Sequence, residues 1–334
     1  MMSTSATAIA HPNIALIKYW GKRDAELILP NNDSLSMTLD IHPTTTTVTL
    51  DADAKSDELV LNGIRATDEA LIRARRFLDE VRARSGVCEY ARIDSHNEGP
   101  TAAGLASSAA GFAALAVAAS AVYGLDYSPA QLSRLARRGS GSAARSVFGG
   151  FAQWHAGHGS GPTADETSFA EPVEVTRMDI ALVVAVVDAG RKALSSRDAM
   201  RHTVATSPLY WAWVDSVGDD ITEMRAALCH GDLHTVGAVA ERNALGMHAT
   251  MLAARPAVRF LSAASLRVFD EVARLRSTGL PAYVTVDAGP NVKVLCSTGA
   301  SETVAAAVRA VEGVRWATVA QPGPAARLRA DVRS

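Results

Sequence analysis

The chain has 334 residues, of which 48% are hydrophobic and 20% charged, with a formal net charge of −2 at pH 7. That length suits two domains or one large one. A nearly neutral charge excludes any global pull toward nucleic acid or an anionic membrane, so an anionic ligand has to be held by local clusters of cations.

The first expected element is the apolar, β-branched run HPNIALIKYW (11–20), a strand or its approach. TTTTVTLDAD (44–53) reads as a strand ending in a polar turn. DELVLNGIRA is a hairpin turning on Asn62-Gly63. Residues 68–86 have helical spacing, with Leu71, Phe77, Leu78 and Val81 on the buried side and Gly86 as the stop. EYARIDSHN (89–97) alternates like a strand. After a Gly/Ala-rich loop, an Ala-rich helix runs to about Tyr123; it is apolar on nearly every face and so belongs in the centre of the molecule. Residues 128–154 give a short helix, a Gly/Ser break, a second helix and a strand, and 156–172 read as a surface loop.

DIALVVAVVDAG (179–190) is a buried-strand candidate that opens a second domain. Three helical stretches follow, at roughly 198–228, 231–254 and 258–277, then strand, turn and strand over 281–296, a helix in SETVAAAVRAVEG and a last strand in VRWATVAQPG. Helices and strands come in runs without strict βαβ alternation, so the class is α+β. The expected domains are 1–178 and 179–334, and there is no internal repeat.

Cys88, Cys229 and Cys296 share no close spacing, which fits neither a disulfide framework nor a zinc site and points to buried thiols in a reducing cytoplasm. The start, MMSTSATAIAHPN, lacks the basic residues and long apolar run of a secretory signal. No segment approaches 18 uninterrupted apolar residues; 104–123 comes closest and is broken by Ser107, Ser108 and Ser120, so no membrane span is expected. Arg outnumbers Lys 28 to 5, which singles out Lys18, Lys22, Lys192 and Lys293, each beside an unusual motif.

GPTAAGLASSAAG (99–111) has the G-x-x-x-x-G spacing of a Walker A loop, but Leu105 and Ala106 stand where Lys and Ser or Thr belong. Gly and Ala still let a backbone approach an anion, and a helix N-terminus adds free N–H groups and partial positive charge. Ser107 and Ser108 fall in the first turn, where hydroxyls reach phosphate oxygens or Mg²⁺. The plain alternative is a core helix with a Gly-rich entry. A second cluster, RRGSGSAARS (137–146), offers Ser140, Ser142 and Arg145, and SSRDAM offers Ser195, Ser196 and Arg197. Hydroxyls with an Arg fork suit a diphosphate or carboxylate. Together with Lys18 and Lys22 these clusters can form one cationic pocket in a neutral protein.

HPNIALIKYWGKRD, LPNNDSLSMTLD, PTAAGLASSAAGFAAL, RRGSGSAARSVFGGFAQW, SSRDAM…TVATSPLYW and DAGPNVKV resemble the successive signatures of the diphosphomevalonate decarboxylase family, within the GHMP kinase superfamily. The resemblance runs from about residue 8 to about 320. HNEGPTAAG departs from the family's usual approach to the loop, and Ala144 replaces a small residue that is often Cys. The resemblance implies a GHMP kinase fold of two α+β domains with the active site in the cleft between them. It implies ATP-dependent decarboxylation of mevalonate 5-diphosphate to isopentenyl diphosphate, with Mg²⁺ carried on the ATP phosphates, in a cytoplasmic homodimer.

By position in these motifs the resemblance makes Asp287 the catalytic carboxylate, Lys18 its charge partner and Arg145 part of the catalytic set. Tyr19, Lys22, Ser140, Ser142, Arg145, Ser196 and Arg197 would hold the substrate's diphosphate and carboxylate. Asn13 would support Arg145 or the nucleotide phosphates, and Gly104, Ser107 and Ser108 would hold ATP, with Ser107 a candidate oxygen for Mg²⁺. Trp20, Trp154 and His248 read as core packing. Two rivals stand beside this: a sister enzyme acting on mevalonate or its monophosphate, as kinase or decarboxylase, and a non-catalytic metabolite sensor. The diphosphate-holding residues and Asp287 are all present, which favours the first reading.

Overall fold

The computed structural model describes residues 4–99, 107–175, 177–188 and 194–330. Three sheets carry the architecture. The largest has six strands in the order Arg327–Leu328, Ser5–Ala10, Thr44–Asp51, Tyr90–Asn97, Glu58–Leu61 and Ile64–Arg65. Thr44, Thr46 and Val48 on one strand and Ala91, Ile93 and Ser95 on the next turn inward, as the two-residue period of a half-buried sheet requires. The helix Ser107–Val122 lies across this sheet, and residues 113–120 are buried without a break. Asn62 and Gly63 both have positive φ, and together they turn the short hairpin as expected.

The second sheet orders Ala170–Pro172, Phe151–Trp154, Ser34–Thr38 and Asn13–Ile17. The third orders Ala282–Val286, Val292–Cys296, Ala181–Val186 and Trp316–Ala320, and all its pairings are antiparallel. Ala181–Val186 is buried on both faces, which explains its unbroken apolar run. Leu182, Val184 and Val186 join a core with Ile14, Leu16, Leu35, Met37 and the helices Tyr210–His230 and Leu233–Leu252. Ala181, Val183 and Ala185 face a separate core under the helices Ala263–Ser277 and Ser301–Arg309. The first of these cores ties the two halves together directly beneath the end of strand Asn13–Ile17.

Three expectations need correction, one of them for the cysteines, of which only Cys296 is buried while Cys88 and Cys229 are exposed. The stretch 198–228 is two helices, Ser196–Thr206 and Tyr210–His230, because Pro208 supplies no N–H and disfavours helical backbone at Ser207. Residues 156–172 are not simply a loop: they hold the helix Gly161–Thr167 and the strand Ala170–Pro172. Buried Asp165 is compensated there by Arg134 at 2.7 Å and by Arg137. Strands Ser5–Ala10 and Arg327–Leu328 pair with one another, and the tail reaches that edge through Gly323, whose N–H donates to the Thr38 carbonyl at 2.7 Å. Among the described residues no helix is long and apolar enough to cross a membrane.

Candidate active site

Strand Asn13–Ile17 delivers Asn13 at its start and Lys18, Tyr19 and Lys22 beyond its end. Gly21 allows the sharp exit: its φ is +98°, and a Cβ there would lie 1.9 Å from the Tyr210 hydroxyl. Two buried amides fix the Lys18 backbone. Its N–H donates to Asn243 Oδ1 at 2.8 Å, and its carbonyl accepts from Asn32 Nδ2 at 2.8 Å. Asn243 in turn donates to buried Asp220 at 2.8 Å, which Arg242 pairs. Lys18 is thus held from helix Leu233–Leu252 of the opposite half.

The Lys18 ammonium donates to Asp287 Oδ1 at 2.7 Å and to the Ala15 carbonyl at 2.7 Å. Asp287 follows strand Ala282–Val286. From the partner strand Val292–Cys296, Lys293 donates to Asp287 Oδ2 at 3.0 Å. Both lysine side chains are 2% exposed, whereas Asp287 is 31% exposed and keeps one face open. Burial works to raise the Asp287 carboxyl, but the two ammonium groups outweigh it and hold the group well below the usual carboxylate range. Burial brings Lys18 down to about 8 against the pull of Asp287. His248 is buried in the same neighbourhood; burial, with Lys18 nearby, lowers it to about 4, so its ring is neutral at physiological pH.

Arg145 sits in the short helix Ala143–Ser146 and is 2% exposed. Its guanidinium donates to Ser34 Oγ and, at 3.2 Å, to Asn13 Oδ1, and it stacks 5.9 Å from the Trp154 ring. Its Nε is buried without a partner. Asn13 spends its amide hydrogens on Ser146 Oγ at 2.7 Å and the Ser142 carbonyl at 3.0 Å, so it anchors Arg145 and its helix. The Tyr19 hydroxyl is likewise buried and unpartnered, with the ring edge-on to Trp154 at 4.7 Å.

Beside this cluster lies a cavity of about 1090 Å³ whose lining includes Lys22, Arg73, Arg138, Gly139, Ser195 and Arg197. Burial, with Arg197 and Arg73 alongside, brings Lys22 down to about 8. Arg73 donates to the Gly139 carbonyl at 2.8 Å, while its Nε is buried and unpartnered. Arg197 pairs with Glu69 at 3.1 Å. Orphaned guanidinium N–H groups beside a cavity are what an anionic ligand satisfies.

The structure therefore gathers Lys18, Asp287, Arg145, Asn13 and Tyr19 in one place and Lys22 and Arg197 at the adjoining cavity. Ser108 Oγ lies 3.3 Å from Ser140 Oγ, so the two Gly/Ser loops meet. Ser142 immediately precedes the Arg145 helix. Of the Ser195–Ser196 pair, Ser195 lines the cavity while capping the helix that begins at Ser196. Gly104, Lys192 and the Ser107 side chain lie outside the described residues. Trp20 and Trp154 are core residues, as expected. The sequence assigns no role to Lys293 or Arg73; the scarcity of lysine and the adjacent DAGPN motif are the signals for the former. Among the described residues no group of three His, Cys, Asp or Glu could hold a metal ion.

A family model for the diphosphomevalonate decarboxylase-like N-terminal domain matches residues 10–170, and one for the mevalonate 5-diphosphate decarboxylase C-terminal domain matches 182–321. The diphosphomevalonate decarboxylases of Aspergillus fumigatus and Homo sapiens are each 38% identical, covering 92% of this chain and 80% of theirs. Among solved structures, the mevalonate diphosphate decarboxylase from Enterococcus faecalis is 44% identical over 98% of this chain and 99% of that one, with a TM-score of 0.91. The Staphylococcus aureus enzyme is 40% identical over 98% of both chains, with a TM-score of 0.93. A further solved structure holds MDDEF in complex with MVAPP, AMPPCP and magnesium, again with a TM-score of 0.91.

Proposed function

The chain belongs to the diphosphomevalonate decarboxylase family, and from that premise we propose that it converts ATP and mevalonate 5-diphosphate into isopentenyl diphosphate, CO₂, ADP and phosphate. The observation that carries the reading is the Lys18–Asp287 pair, 2.7 Å long, set among buried cations at the junction of two α+β halves. The solved relatives named for mevalonate diphosphate and ATP support the choice of substrates. The domain division falls at 178/179, consistent with family models that end at 170 and restart at 182.

The chemistry follows from the charges. The tertiary hydroxyl of the substrate attacks the γ-phosphorus of ATP and becomes a phosphate ester, while ADP leaves with the electrons of the broken P–O bond and Asp287 takes up the hydroxyl proton. That phosphate leaves with the C–O bonding electrons, and the carboxylate's C–C bond breaks to supply the pair for the new double bond as CO₂ departs. Asp287 accepts the hydroxyl hydrogen bond and orients that oxygen in line with the phosphorus. Lys18 stands beside the same oxygen, where negative charge moves during transfer. Arg145, buried and pre-set by Asn13 and Ser34, receives the substrate carboxylate on its free Nε edge. Lys22, Arg197 and Tyr19, with Ser140, Ser142 and Ser196, hold the diphosphate.

Ser107, Ser108 and Gly104 take the ATP phosphates at the start of helix Ser107–Val122. Mg²⁺ carried on the nucleotide would neutralise its phosphates, and Ser107 would be the candidate protein oxygen to hold it. The loop needs no lysine because its cations come from other segments. A homodimer in the cytoplasm completes the reading. The exposed neighbours Leu209 and Trp211, and the free thiols Cys88 and Cys229 at the surface, support it. The test is CO₂ release with ATP and mevalonate 5-diphosphate, run beside mevalonate and its 5-phosphate. Release confined to the diphosphate is expected; release from the monophosphate alone would overturn the assignment.

A further inference from the structure

The geometry points to Lys293 as a positioning residue: its ammonium grips Asp287 Oδ2 at 3.0 Å while Lys18 grips Oδ1 at 2.7 Å, so the carboxylate plane is fixed from both sides and stays paired when Lys18 turns to the reacting oxygens. This deepens the decarboxylase reading and rests on it.

Val292–Cys296 is a wholly buried strand, VKVLC, in which a lysine breaks an apolar run. A buried ammonium gives up its hydration, and an apolar side chain there would pack without that cost. Nor does neutralising Asp287 require Lys293, because Lys18 already does so. Lys293 instead adds a second cation that disfavours the charge on Lys18. A local rule broken without a stability gain marks a functional position.

The groups facing Asp287 make the purpose specific. Lys18 comes from beyond strand Asn13–Ile17, Lys293 from Val292–Cys296, Arg145 from the helix Ala143–Ser146 and His248 from helix Leu233–Leu252. Three of these are cations and one is a neutral ring, so the cluster carries excess positive charge until an anionic substrate arrives. Lys293 is also anchored on the Asn291 carbonyl at 3.3 Å, and its cross-strand partner Thr285 lies 3.5 Å from the Ala15 carbonyl that takes Lys18. The hairpin and the strand carrying Lys18 are therefore knitted at one point. Lys18 is free to follow developing charge only if a second cation keeps Asp287 in place.

The test compares Lys293→Met and Lys293→Arg with wild type. Lys293→Met should lower kcat by about tenfold or more through misplacement of Asp287, leave KM for both substrates within about twofold, and move the acidic limb of the kcat–pH profile upward. Lys293→Arg should restore most of the rate. A folded Lys293→Met enzyme with wild-type kcat and pH profile would overturn the inference. So would a rise in KM at unchanged kcat, which would mean that Lys293 touches substrate. Should the Met variant not fold, Lys293→Gln keeps a donor for Oδ2 without the charge and reads the same quantities. Titration of ¹³C-labelled Asp287, assigned with Asp287→Asn, needs no substrate: its midpoint should rise in Lys293→Met, and an unmoved midpoint would refute the clamp even if the substrate assignment failed separately.

Discussion

Asp287→Asn keeps the shape of the side chain but removes the anion shared by Lys18 and Lys293. At the observed separations of 2.7 and 3.0 Å, an effective dielectric of about 20 gives each pair roughly 6 kcal/mol of gross attraction. The open face of Asp287 lets solvent screen much of that. Lys18, already lowered to about 8, relieves the rest by losing its proton rather than by unfolding the chain. The expected stability loss is therefore modest, about 1–3 kcal/mol. The chemical step suffers more, because both the hydrogen-bond acceptor and the anion that holds Lys18 are gone. A fall of roughly 10²-fold or more is expected, equivalent to about 2.7 kcal/mol of barrier. Rapid-quench single-turnover measurement of phosphoryl transfer and CO₂ release, paired with a melting curve, separates the two effects. Substrate and ATP should still bind, since other residues hold both. A folded Asp287→Asn protein turning over at the wild-type rate would refute the reasoning.

Arg145→Lys replaces a planar fork, pre-set by Asn13 and Ser34, with a point charge; turnover should drop at least roughly tenfold, and near-normal steady-state kinetics would count against a carboxylate-binding role. Ser107→Ala and Ser108→Ala should each raise KM for ATP with little change in melting temperature, and an unchanged rate at limiting ATP would leave these hydroxyls as helix-terminus groups only. Gly21→Ala forces a strained φ and meets the Tyr210 hydroxyl, so it should lower both melting temperature and activity; a wild-type melt would remove the steric argument. His155, raised by its hydrogen bond to Asp33 against the effect of burial, with Glu171 adding to the rise, contributes stability that is full below its unfolded value of about 6.5 and is lost as pH rises through its raised folded value. Asp33, whose hydrogen bonds overcome burial to lower it, contributes in the opposite sense, losing its share as pH falls through its lowered folded value. The wild-type minus His155→Gln difference in melting temperature should thus be largest at about pH 5–6 and shrink above it; a difference independent of pH would contradict the pairing.

Much of this was legible because it is local. The alternation in Thr44–Asp51 and Tyr90–Asn97, the Asn62-Gly63 turn and the two-sided burial of Ala181–Val186 each follow from a few adjacent residues. The signature motifs contain Asp287 and its partners Lys18 and Lys293, whereas His248, packed in the same neighbourhood, lies outside them. What stayed hidden depends on distant parts of the chain. Ser5–Ala10 is a strand because Thr44–Asp51 and the far tail pair with it. Asp165 is buried because Arg134 and Arg137 come from another helix. Arg73 reaches the cavity from the exposed-looking helix Glu69–Ser85. Pro208 was a readable break that the strong helical spacing on both sides obscured. Lys293 was conspicuous as a rare lysine, but only the fold shows that it and Lys18 share one carboxylate.

The central claim is that one buried cluster couples phosphoryl transfer to decarboxylation of a diphosphate substrate. It is tested most directly by measuring ADP, phosphate and CO₂ together in a single turnover of the wild-type protein with ATP, Mg²⁺ and carboxyl-labelled mevalonate 5-diphosphate. Equal amounts of all three products are expected, with no CO₂ when ATP is omitted. ADP formed without CO₂, or CO₂ released without ADP, would contradict it.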